Sequence, residues 1–222
     1  MNSFINILTL LFTFPLLALS IFSGFDIPID SLGITGKDIP YQNEFFLVIG
    51  ICIFLIQIRR SSRRWMALHL VNKIDRFQWN EKVSQSRKKR VITYNLIESM
   101  VMISLGVGLL FTTTKTLLPA SVFFLFSLDS IVFSLYGKDK YRVGLSTKAI
   151  FIADREIILI YFTGLRKITV HQQTIYFDYI ENLQLTFPTN CIEEGKLNDF
   201  FKKFDTAIDK DRVFMNNINY KY

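Results

Sequence analysis

Residues 59–90 crowd Arg59, Arg60, Arg63, Arg64, Lys73, Arg76, Lys82, Arg87, Lys88, Lys89 and Arg90 between two long apolar runs, opposed only by Asp75 and Glu81. A short cationic connector beside hydrophobic segments is retained on the cytoplasmic side, because Lys/Arg-rich loops resist translocation. That placement fixes every other segment relative to a bilayer and puts both termini in the cytoplasm. Hydrophobic residues make up 50% of the 222, concentrated in uncharged runs, which is the composition of a membrane protein. A net charge of +7 could suit a nucleic-acid binder, but much of the excess lies in this one connector, so no nucleic-acid partner is expected. Cys52 sits in an apolar run and Cys191 in a distant polar region; both are expected to be free thiols in a reducing compartment.

Residues 4–25 contain no charge, and about 20 apolar residues suffice to cross a hydrocarbon core roughly 30 Å thick. This run reads as a retained first span. Its start carries no Lys or Arg, and 20–24 offers no clear small-x-small cleavage site, both of which argue against a signal peptide. Pro15 falls mid-span, where it removes a backbone donor and is expected to kink the helix or need a polar partner. Residues 26–44 form an acidic, turn-rich loop on the far side, with Asp26, Asp30, Asp38 and Glu44 among Pro28, Gly33, Gly36 and Pro40, against a lone Lys37. The second span starts near Tyr41 or Phe45 and ends at Ile58, short unless Arg59 and Arg60 snorkel. Residues 91–111 and 117–135 give the third and fourth spans, and the short 112–116 link forces an antiparallel hairpin. Ser104 with Gly108, and Ser130 with Ser134, have the spacing that permits close helix approach.

Within the connector, Met66, Leu70, Ile74 and Phe77 share one helical face, and Trp65, Leu68 and Trp79 gather on another. The segment is either an amphipathic helix in the membrane interface or a plain extension of the second span. In the first case Arg59, Arg60, Arg63, Arg64, Trp65, Trp79, Arg87, Lys88, Lys89 and Arg90 contact anionic headgroups, at about 1 kcal/mol for each cation.

After Gly137 the pattern turns strand-like, beginning with 140–145 and 149–153. Residues 156–162 are too short to span a bilayer and read as a buried strand. Alternation continues over 166–171, 174–179 and 182–187, with Gln172 and Gln173 implying a tight turn and Pro188 ending the last run. Leu197, Phe200, Phe201, Phe204 and Ile208 then recur at helical spacing, giving an apolar face that must dock on the sheet. The fold class expected is a bundle of four transmembrane helices over 1–137 plus a small α+β cytoplasmic domain over 138–208, antiparallel strands capped by a C-terminal helix. A tail over 209–222 has no period and is expected to fray or bind a neighbour.

This order of strands and capping helix beyond a membrane hairpin resembles the bacterial pleckstrin-homology-like (PH-like) domains attached to small integral membrane proteins. The run Leu165-Arg166-Lys167-Ile168-Thr169-Val170-His171-Gln172-Gln173-Thr174-Ile175-Tyr176-Phe177 is similar to the hairpin such domains use. The resemblance implies a partly open barrel that docks proteins or lipid surfaces, in the bacterial inner membrane. Lys148, Arg155, Arg166 and Lys167 are too scattered for the phosphoinositide-binding pattern of eukaryotic relatives.

Two carboxylates fall inside spans. Glu98 and Asp129 lie at similar depth in an antiparallel hairpin, roughly 10 Å below the cytoplasmic surface. An ionised carboxylate there costs a few kcal/mol, roughly, so each must face protein or water or carry a proton. Together with Asn95 and Ser130 they make a candidate intramembrane polar site for a cation or a proton relay. Alternatively they fix packing through Asn95, Ser99, Ser127 or Ser130, or pair with Arg87–Arg90 at the interface. His69 and His171 stand alone. No phosphate loop, dinucleotide fingerprint, zinc spacing or nucleophile elbow is present, so no cofactor, metal or catalytic residue is assigned. The sequence thus favours a non-enzymatic docking or accessory subunit of a larger membrane complex. The alternatives are an ion- or proton-coupled transport component using Glu98 and Asp129, and a sensor of anionic lipid surfaces.

Overall fold

The computed structural model describes residues 2–29, 33–180, 183–208 and 213–216. The chain divides into two compact units, Met1–Ser62 with Tyr94–Phe133 and Arg63–Thr93 with Ser134–Tyr222. Helices α1 (Asn2–Gly24), α2 (Gln42–Val71), α3 (Gln85–Thr112) and α4 (Leu117–Gly137) are each long and apolar enough to cross a membrane. In hydrocarbon the backbone must satisfy its own polar groups, and these apolar runs do so as helix. Helix α1 continues through Pro15.

In the first unit Leu16 from α1, Phe46, Ile49 and Ile53 from α2, Met102 and Leu109 from α3, and Phe123 and Phe126 from α4 form the core. Large apolar side chains such as Phe14, Leu55, Phe111 and Leu128 remain exposed on the same helices. Helices that are apolar on both inner and outer faces suit a lipid surround.

The loop after α1 is anchored by one buried glutamine at the start of α2. Ser23 Oγ and Lys115 Nζ donate to Gln42 Oε1 at 2.7 and 2.9 Å, while Gln42 Nε2 donates to the carbonyls of Gly36 at 2.6 Å and Lys37 at 3.2 Å. A short antiparallel ladder, β1 (Pro28–Ile29) with β2 (Ile34–Thr35), leads into this knot. Gly24 and Gly36 permit the close approach: a Cβ would sit 2.3 Å from the Thr112 carbonyl oxygen at Gly24, and 1.7 Å from that of Phe22 at Gly36. Of the acidic loop read from the sequence, 30–32 lie outside the described residues.

The second unit holds two sheets. One runs β3 (Trp79–Lys82), β4 (Arg142–Leu145), β5 (Ala149–Ala153), β6 (Ile157–Tyr161), all antiparallel. The other has β7 (Leu165–His171), β8 (Thr174–Tyr179) and β9 (Gln184–Pro188) antiparallel, with β10 (Phe214–Asn216) added parallel on the far side of β7. The β7–β8 turn places Gln172 in the left-handed region, φ 52°. Helix α5 (Glu194–Ala207) supplies the aromatic core. Phe200 stacks on Phe187 at 5.3 Å and on Phe204 at 5.6 Å, and meets Trp79 edge-on at 5.1 Å; Phe204 meets Phe177 and Phe162 edge-on. Through Trp79 and Phe187 the helix touches both sheets.

The connector is not a loop. Helix α2 runs on to Val71, and Asn72 Nδ2 then donates back to the Leu68 carbonyl at 2.7 Å. A single helical turn at Ile74–Arg76 and strand β3 follow. Helix α2 ends at Val71, so Ile74, Phe77 and Trp79 lie past the helix end and do not extend its faces; Trp79 packs on Phe200 of α5 instead. The sheet therefore takes its first strand from a segment far upstream of residue 138. Of the tail, 209–212 and 217–222 fall outside the described residues, while the end of the chain that is described joins β7 as a strand.

Gly36→Ala tests the knot around Gln42. Backbone must move to accept the methyl, at a cost of about 1–3 kcal/mol, read as a lower unfolding temperature in detergent; unchanged stability would show that the loop is not pinned there.

Candidate functional site

In the first unit, Arg60 on α2 meets Glu98 on α3 with two contacts, Nη1 to Oε1 at 2.8 Å and Nη2 to Oε2 at 3.1 Å. Both side chains are only 12% exposed. A forked guanidinium against a carboxylate is the strongest ordinary pairing available to a desolvated acid. Arg60 of α2 thus supplies a cation for Glu98. The sequence could not point to it, because the partners are 38 positions apart and lie on two different helices.

Next to Glu98, Ser99 Oγ lies 2.6 Å from Ser127 Oγ, and each hydroxyl also reaches the other residue's carbonyl, at 3.2–3.3 Å. This clasp joins α3 to α4. Asn95 is wholly buried, and its amide group has no hydrogen bond to another described residue. Ser130 is buried and Asp129 half-buried on α4. Among the described residues no group of three or more His, Cys, Asp or Glu could hold a metal ion.

In the second unit, several basic residues of the connector are tied to carboxylates. Arg87 Nε contacts the buried Asp154 at 2.7 Å, and Lys88 Nζ contacts Asp139 at 2.7 Å. The Lys88 hydrogen bond holds the Asp139 carboxyl below its ordinary range. Ser84 caps α3: its Oγ accepts from Arg87 N at 3.3 Å and donates to the Asn190 carbonyl at 2.7 Å, while Ser84 N donates to the Cys191 carbonyl at 2.8 Å. Trp65 packs on Tyr136 at 5.6 Å, with Lys140 Nζ 3.3 Å above the Tyr136 ring.

The ten residues read as headgroup contacts therefore divide. Arg60, Arg87 and Lys88 are in ion pairs, Trp65 and Trp79 are in aromatic packing, and Arg64 is buried. Arg59, Lys89 and Arg90 are exposed and Arg63 is half-buried. Arg90 also lines a groove of about 820 Å³, with Ser84, Asn190, Ile192, Glu193 and Leu197. Asp154 was missed as a structural acid; its partner Arg87 is 67 positions away, and nothing local marks it.

Cys191 is fully buried beside this network, and burial, reinforced by the Asp154 charge, pushes its thiol up to about 12. No protein-family model matches the chain, and no curated protein or solved structure matches it.

Replacing Glu98 by Gln leaves a nearly buried guanidinium facing a neutral amide, and the loss of stability is expected to be about 3 kcal/mol. Arg60→Met with Glu98→Met, which removes both charges, should cost clearly less in the same detergent unfolding assay. Equal losses would show that the pairing does not govern stability.

For Cys191 the folded-state pKa lies above the unfolded one, so protonation favours the fold. That contribution is complete below about pH 8.5, the unfolded thiol value, and disappears as pH rises toward about 12. Tyr179, also raised to about 12 by burial, adds to the same alkaline loss. Denaturant titrations between pH 8 and 11 should show a shallower decline for Cys191→Ala than for the parent chain.

Proposed function

We propose that this chain is a non-catalytic docking or accessory subunit of a larger bacterial inner-membrane assembly, with a PH-like domain held on the cytoplasmic side and both termini in the cytoplasm. The observation that carries this reading is the sheet β3–β4–β5–β6. Its first two strands are hydrogen-bonded neighbours, although the whole α3–α4 hairpin lies between them in sequence. A sheet that takes its first strand from before the hairpin and its second from after it is a single folded body closed by paired backbone, which suits a domain that presents a defined surface. Two sheets spanned by the aromatic face of α5 agree with the strand order and capping helix that the PH-like resemblance implies.

The polar groups inside the first unit support the same reading. Glu98 is engaged by Arg60 and Ser99 by Ser127, arrangements that join helices. This favours a packing role over ion or proton transport. The exposed Arg59, Lys89 and Arg90 are the cations left to meet anionic headgroups, so lipid contributes to placement while protein is the docked partner.

Purification of the tagged chain in mild detergent tests the proposal. Reproducible companion subunits in amounts near one per chain are expected, retained through size exclusion. A strictly monomeric protein with no companion, under conditions that preserve its fold, would sink the docking role.

A further inference from the structure

The second unit holds a pocket of about 320 Å³, lined by Trp65, Leu68, His69 and Asn72 at the end of α2 and by Tyr136 and Lys140 at the end of α4. Asn72 ties the two ends together, its Nδ2 donating to the Leu68 carbonyl at 2.7 Å and to the Lys140 carbonyl at 3.0 Å. The pocket is electropositive. Among the described residues no acid lines it, and the Lys140 ammonium, 3.3 Å above the Tyr136 ring, has no carboxylate partner. The Leu68 and Leu70 carbonyls, which a helix C-terminus would otherwise leave open, are taken by Asn72 Nδ2 and Lys73 N. Its walls are the packed rings of Trp65 and Tyr136, the side-chain types that gather at the level of lipid headgroups. Helix rise puts both rings at that level. Trp65 stands roughly 35 Å along α2 from Gln42, and Tyr136 roughly 29 Å along α4 from Leu117, against a hydrocarbon core roughly 30 Å thick. Val132 and Leu135, within one turn before Tyr136 on α4, are exposed and offer apolar surface to acyl chains.

We infer that this pocket binds the headgroup phosphate of an anionic glycerophospholipid, with Lys140 meeting the phosphate and Trp65 and Tyr136 flanking it. A volume at the lower end of the range for ligand sites suits a phosphate with its glycerol and not a whole lipid. The charge selects the class of lipid. Lys140 already occupies the face of Tyr136 on which a choline-type cation would sit, so a zwitterionic headgroup brings a quaternary ammonium that the pocket repels, whereas an anionic one brings phosphate alone. His69, exposed on the same turn of α2, adds a second nitrogen donor. Among the described residues none of the arginines of 59–90 lines the pocket, so the site is separate from the general attraction of that stretch to lipid. It requires that α2 and α4 lie in a bilayer and does not depend on a protein partner, so its failure would leave the docking reading standing.

The test uses the full-length protein in vesicles of phosphatidylcholine and phosphatidylglycerol. A Trp79→Phe background leaves Trp65 as the only tryptophan of the chain and keeps a ring against Phe200. Brominated acyl chains quench an adjacent indole, so brominating one lipid class at a time reports which class sits beside Trp65. Phosphatidylglycerol should be favoured about fivefold over phosphatidylcholine, the equivalent of about 1 kcal/mol for one lysine at a lipid surface. Lys140→Gln should abolish that preference, and Lys140→Arg should keep it. Lys138→Gln removes an exposed lysine that does not line the pocket, and should leave the preference nearly unchanged. Because the ratio compares two lipids on one protein, a variant that loosens the fold affects both arms alike. Equal quenching by the two classes would overturn the assignment. A preference lost as fully with Lys138→Gln as with Lys140→Gln would overturn it in favour of diffuse surface charge, and a preference for phosphatidylcholine in favour of a quaternary-ammonium pocket. Glycerol phosphate at millimolar concentration should leave the quenching as it is; displacement of the brominated phosphatidylglycerol would show that the ligand is a free phosphate ester and not a lipid.

Discussion

The antiparallel pairing of Trp79–Lys82 with Arg142–Leu145 is the constraint on which the second unit depends. Asn80 reinforces it from the middle of the strand. Its Nδ2 donates to the Val71 carbonyl at the end of α2 at 2.7 Å, and its Oδ1 accepts from Arg142 Nε at 2.5 Å, across 62 positions of sequence. Glu81 adds an ion pair to Lys196 of α5 at 2.6 Å. One four-residue strand thus links a long helix, a sheet and the capping helix. Closing so long an excursion costs only slowly growing chain entropy, so a few backbone and side-chain bonds plus the Trp79–Phe200 contact can sustain it.

Charge is handled by the same long-range logic. Glu98 is answered from another helix and Asp154 from the start of α3, and in each case the pair sits where water is scarce. Removing one partner from such a pair is more damaging than removing both, because an isolated charge must then be solvated by a poor medium. Of the basic stretch that dominates the sequence, Arg60, Arg87 and Lys88 are thus held in ion pairs within the protein. A good share of it is internal wiring.

The spans, the hairpin 112–116, most strands and the amphipathic α5 were legible because each depends on local periodicity, and apolar runs or alternation report it directly. The connector was not. Met66, Leu70, Ile74 and Phe77 have helical spacing, yet the helix stops at Val71, and Phe77 and Trp79 pack instead on Phe151 and Phe200. The final strand escaped for a related reason: 214–216 has no period of its own and becomes a strand only because β7 offers an edge. Of the candidate site, Glu98 was visible as an acid in an apolar run, whereas Arg60 as its partner required the tertiary fold.

Because β3 and β4 exchange backbone hydrogen bonds, the residues on either side of the α3–α4 hairpin must occupy one aqueous compartment. The hairpin can therefore cross a bilayer an even number of times and no other way. A hairpin that crossed only once would leave β3 and β4 on opposite sides, and the sheet could not close. Parity of crossing is thus enforced by strand pairing, independently of which face the arginines prefer.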